Sequence, residues 1–157
     1  MRTYIYILIT TVSLAMTSCL KSGLEDLPEF EGNDITGVSR VEYRFNSSNT
    51  TPVNNENIVA FVTLNKAQTI DAVNKTVAIT VTVPAATQTF PQAERDNVSL
   101  NNLVVILDIS TAAIISPLDG SPKLGVPGNW SQPNRYEVKA ANGSTAIWTV
   151  EITSLTK

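Results

Sequence analysis

Residues 76–83 read Thr-Val-Ala-Ile-Thr-Val-Thr-Val, a strict alternation of apolar with small or polar side chains. On an extended backbone successive side chains point to opposite faces, so Val77, Ile79, Val81 and Val83 share one face. Thr76, Ala78, Thr80 and Thr82 share the other. The segment is a strand with one side on a core, and Pro84, which lacks an N–H, ends it. A half-buried strand cannot stand alone: it needs a sheet, and that sheet's apolar face needs a cover.

The same signal recurs along the chain. Val41, Tyr43 and Phe45 alternate with the charged Arg40, Glu42 and Arg44. Residues 46–56 form a polar loop containing Pro52, and residues 57–64 a second strand, apolar on both faces. Residues 66–75 read as a connection, and residues 85–97 as a loop with a helical turn near 92–95. The continuous apolar run 103–107 predicts a strand buried on both sides, and 112–116 a short strand closed by Pro117. Residues 123–133, with Gly125, Pro127 and Gly128, are a loop. Tyr136, Val138 and Ala140 face one way and are joined through Asn142-Gly143 to Trp148, Val150 and Ile152. Asn-Gly is favoured where both central turn residues need positive φ, so this is a hairpin. No segment has a helical period. Six to seven strands at roughly ten-residue spacing predict an all-β, antiparallel Ig-like β-sandwich.

Two absences limit the chemistry. The chain has no histidine, which excludes the usual Ser-His-Asp and Cys-His catalysis and His-ligated metals. It has one cysteine, so it holds neither an internal disulfide nor a thiolate cluster. A net charge of −3 without a basic run argues against nucleic acid as a partner. No cofactor is expected.

The N-terminus reads as an address. Arg2 is followed by a mainly apolar stretch over residues 4–15, too short to span a membrane but right for a signal peptide. Met16-Thr17-Ser18-Cys19 then resembles the lipobox of bacterial lipoprotein precursors. The resemblance implies cleavage before Cys19 and acylation of that cysteine, with Met16 in place of the commoner Leu. Each buried CH₂ of such a lipid contributes about 0.8 kcal/mol, so two or three chains hold a domain on a membrane. The expected organisation is a signal peptide over 1–18, an acidic tether over 19–35 and a sandwich over 36–157.

The C-terminal stretch carries a second likeness. Ala113-Ile114-Ile115-Ser116-Pro117, Trp130-Ser131-Gln132-Pro133, the run from Tyr136 to Ser144, and Trp148-Thr149-Val150-Glu151-Ile152 resemble the Ig-like or cadherin-like repeat of Bacteroidetes surface lipoproteins. The likeness covers about 45 residues and implies a sandwich on the outer membrane, facing the cell exterior. Some such proteins sit beside starch-utilization-type transporters, which implies glycan handling. The resemblance carries over no functional residue.

Asp108, Asp119, Glu137 and Glu151 are the acids that could pair for glycoside hydrolysis. Asp108 follows an apolar run and is expected to be partly buried. Asp119 reads as a turn residue, and Glu137 and Glu151 as solvated neighbours on adjacent strands. The chain is therefore expected not to be an enzyme. No Asp-x-Asp-x-Asp-Gly run offers a calcium loop, and no metal ligands are assigned. Trp148 belongs to the core. Trp130, in a Gly-Asn-Trp-Ser-Gln-Pro loop, is either an exposed platform for sugar stacking or a plug in the open end of the sandwich. The expected function is non-enzymatic: binding or presenting an extracellular glycan or a neighbouring outer-membrane protein. The alternative is a spacer or an adhesion or fimbria-like subunit.

Overall fold

The computed structural model describes residues 28–157. Eight strands and one short helix run in the order β1 (Ile35–Thr50), β2 (Asn57–Thr63), β3 (Asn65–Asp71), β4 (Thr76–Thr82), α1 (Gln92–Asn97), β5 (Leu103–Ile109), β6 (Ile114–Leu118), β7 (Asn134–Lys139) and β8 (Thr145–Thr156). They build a three-stranded sheet, β2-β1-β5, facing a five-stranded sheet, β3-β4-β8-β7-β6. The all-β sandwich is as anticipated. The inward residues of the alternating runs meet between the sheets: Val41, Tyr43 and Phe45 from β1, Val77, Ile79 and Val81 from β4, Tyr136 and Val138 from β7, Trp148 and Val150 from β8. Fully burying one such aliphatic side chain contributes roughly 1.5–3 kcal/mol. Every buried side-chain nitrogen and oxygen among the described residues has a hydrogen-bond partner.

Four features depart from the sequence reading. Residues 66–71, read as the first part of a connection over 66–75, belong to strand β3, paired along its length with β4. The strand is hidden because it is an edge with mostly exposed side chains. Leu64 is the corner at which the chain leaves one sheet for the other, buried and donating its N–H to the Val41 carbonyl at 2.8 Å. Second, β1 pairs with β2 as far as Thr50, so the polar loop shrinks to residues 51–56. Third, β4 and β8 are parallel, with Val77 opposite Val150 and Ile79 opposite Ile152, so the sandwich is not wholly antiparallel. Fourth, the β7–β8 turn has positive φ at Gly143 (86°) but not at Asn142. Gly143 donates to the Ala140 carbonyl at 3.0 Å and the Ala140 N–H to Ser144 at 2.8 Å, a three-residue connection.

Residues 30–35 of the segment read as tether lie against the sandwich. Phe30 accepts a hydrogen bond from the Asn142 N–H, and Asn33 accepts one from Trp148 Nε1 at 3.1 Å. Asp34 pairs with Lys75 at 2.6 Å, whose ammonium lies 5.1 Å from the Trp148 ring centre. Cys19 and the signal peptide lie outside the described residues.

Glu42 is a further surprise. Its alternation predicts a solvated carboxylate, yet it is 3 % exposed on the outer side of β1. Arg40 and Arg44, two residues away on either side, close over it at 3.3 and 3.1 Å. A buried carboxylate needs such partners, and the central strand supplies both by period 2.

Candidate functional site

Trp130 is 1 % exposed. Its ring stacks on Tyr136 with centroids 6.2 Å apart, and Nε1 donates to the Leu103 carbonyl at 3.1 Å. The exposed platform considered for sugar stacking is therefore absent, and the plug is what forms. The loop reaches the core because residues 125–128 run along the free edge of β5, Gly125 donating to Val105 and Gly128 to Leu103, both at 3.0 Å. Gly128 is required there: a Cβ would collide with the Pro122 side chain. Tyr136 donates its hydroxyl to the Pro122 carbonyl at 2.8 Å, and burial pushes its phenol pKa up.

The acids do not assemble. Asp108 is exposed rather than partly buried, lying at the end of β5 opposite Gly37. Asp119 is bound to Arg135 at 2.6 Å. Glu137 stands opposite Ile147 and Glu151 opposite Ala78, not opposite each other. Glu151 lies four residues beyond Ile147, roughly 13 Å along the strand, outside the ~5–9.5 Å at which paired carboxylates act on a glycosidic bond. Among the described residues no three acidic or thiol side chains gather into a metal-holding group.

Two clefts remain. The first, of about 560 Å³, lies among residues 119–135 and is lined by the Asp119–Arg135 pair together with Pro122, Val126 and Pro127. The second, of about 540 Å³, lies between the β1–β2 hairpin and the start of α1. Its floor is Phe45, Ile58, Ala60 and Pro91. Phe45 is supported from behind by Tyr43, stacked at 5.8 Å, and by Phe90 at 6.0 Å. Its lining also includes Asn46, Asn57 and Gln88, whose side-chain amides make no hydrogen bond among the described residues. Glu94, its one carboxylate, accepts from the Tyr43 hydroxyl at 2.9 Å. Burial first, and that bond second, push the Tyr43 phenol up to about 12. Sequence reasoning missed this cleft because its walls come from segments about 40 residues apart. The one local signal was the apolar character of both faces of residues 57–64.

Alongside the second cleft, β2 leaves Val59 62 % and Phe61 58 % exposed. No helix among the described residues is long and apolar enough to cross a membrane.

None of the curated proteins matches the chain. Among solved structures, it is similar to the crystal structure of a candidate secreted protein from Bacteroides fragilis NCTC 9343, at 44% identity and a TM-score of 0.75. The match covers 83% of this chain and 100% of that one. The family described as DUF5018-related matches over residues 35–151, from the first residue of β1 well into β8, and the chain belongs to that family.

Proposed function

We propose that this chain is a non-enzymatic lipoprotein of the bacterial cell surface, held in the outer membrane by lipid on Cys19. Its Ig-like sandwich binds or presents a partner outside the cell, either a glycan or a neighbouring outer-membrane protein. The cleft beneath the β1–β2 hairpin carries this reading: apolar side chains line it, among them Phe45 with the rings of Tyr43 and Phe90 against it, beside amides that make no hydrogen bond among the described residues. Such a site suits a polyhydroxylated ligand, whose C–H faces lie on the floor while its hydroxyls meet the amides. Each cleft holds one carboxylate, already engaged by Tyr43 or Arg135, which speaks against hydrolysis. The secreted character given to the Bacteroides fragilis relative supports export.

The test is a glycan array probed with residues 28–157, beside cross-linking in outer-membrane fractions. A glycan retained by the parent and lost from Asn46→Ala/Gln88→Ala, with an unchanged melting temperature, supports the cleft. Silence in both assays refutes binding and leaves the spacer. Separately, Cys19→Ala abolishes fatty-acid labelling and releases the protein from membranes; a variant that stays bound refutes the anchor.

A further inference from the structure

Two sheets have four edges; among the described residues two are covered and a third is short and interrupted by proline. The edge of β5 takes hydrogen bonds from Gly125 and Gly128. The edge of β3 is turned onto β1: the Gln68 side chain accepts from the Val38 N–H at 2.7 Å, just beyond the Leu64 corner. The edge strand β6 is only five residues long and carries Pro117, which cannot donate to a new neighbour. The edge of β2 has none of these protections. It is seven residues, Asn-Ile-Val-Ala-Phe-Val-Thr, with no charge and no proline. Among the described residues it pairs only with β1, and Ile58, Val59 and Phe61 are exposed on it. An uncharged apolar edge is a template for another strand.

We infer that the occupant is a second copy of this chain, added antiparallel through β2 about a two-fold axis at Ala60. The strand reads alike from both ends around that alanine: Val59 and Phe61 inside, Ile58 and Val62 next, polar Asn57 and Thr63 outside. Antiparallel pairing about Ala60 therefore sets Val59 of each copy opposite Phe61 of the other, an aromatic on a β-branched side chain. Ile58 meets Val62, and the polar ends meet each other. Two-fold symmetry requires this self-complementarity, whereas a foreign strand would not. Charge does not oppose it. The nearest cation, Arg44, stands beside Phe61 on β1 and is bound to Glu42. The two copies of Arg44 lie three strand spacings apart, about 14 Å, beyond a Debye length of ~8 Å in physiological salt. The result is a continuous six-stranded sheet across two molecules. A seven-residue seam is smaller than a standard interface, so the dimer is concentration-dependent rather than permanent.

Sedimentation velocity of residues 28–157 from about 1 μM to 1 mM tests this, a range chosen for weak interfaces. The expected result is a reversible monomer–dimer equilibrium. Phe61→Lys, on an exposed site, weakens it about tenfold or more with an unchanged melting temperature, because an edge lysine blocks strand addition. Val73→Lys, on a remote exposed turn, leaves it unchanged. Val59→Cys/Phe61→Cys, in a fragment without Cys19, gives a disulfide-linked dimer under a mild oxidant. A parent that stays monomeric throughout, a dimer indifferent to Phe61→Lys, or a double-cysteine variant that does not cross-link each overturns the inference.

Discussion

Replacing Trp130 by alanine removes the largest side chain that bridges the 119–135 loops and the core. The ring is 1 % exposed and stacked on Tyr136, and its Nε1 donates to Leu103. Truncating a buried tryptophan costs about 3–5 kcal/mol, from lost burial and the cavity left behind. Trp130→Phe keeps an aromatic ring in the core and removes the indole donor. The Leu103 carbonyl still accepts from the Gly128 N–H, so no acceptor is orphaned. The phenylalanine variant is therefore expected to lose only about 1–2 kcal/mol. In urea titrations of residues 28–157 the two midpoints should separate clearly, with similar m-values. By melting, at roughly 4 °C per kcal/mol for a domain of this size, alanine lowers the midpoint by about 12–20 °C. Alanine costing under about 1 kcal/mol would refute the plug. So would a variant of full stability that loses a ligand the parent retains.

Alkaline pH should destabilise the domain in a defined window. The Tyr43 phenol is raised to about 12 in the folded state against 10.0 in the open chain, so the folded form holds its proton more tightly. That contribution is complete below pH 10 and lost as pH rises toward 12. Melting temperatures across pH 8–12 should fall above pH 10, and Tyr43→Phe should blunt the fall; an identical profile in the variant counts against the Tyr43–Glu94 contact. Gly128→Ala forces a Cβ into Pro122 and should cost about 1–3 kcal/mol. In the same variant the Gly125 amide that donates to β5 should exchange with deuterium faster, and unchanged exchange would show that the loop absorbs the methyl.

How legible the fold was depended on how local its causes are. The strand β4 could be read residue by residue because its alternation and its proline stop lie within nine positions. The inward faces of β1, β7 and β8 were legible for the same reason. By contrast, β3 is held by backbone pairing, and its side chains Ala67, Gln68 and Thr69 carry no apolar period. The parallel pairing of β4 with β8 joins segments about seventy residues apart, and nothing in either strand names the other. The site was the least legible part. A Gly-Pro-rich loop reads as surface, but hydrogen bonds to β5 draw it inward and bury Trp130. The cleft depends on Phe45, Ile58 and Pro91 converging from three elements, which no spacing encodes.

The place of β8 sets the order in which the molecule can be assembled. It lies at the centre of its sheet, between β4 and β7, and contributes Trp148, Val150 and Ile152 to the core. Until its residues arrive, β3–β4 and β6–β7 are two hairpins with no common sheet, each presenting an uncovered apolar face. A chain emerging from its N-terminus toward its C-terminus therefore cannot close early. The five-stranded sheet is expected to close last, when the final strand takes its place between the two hairpins.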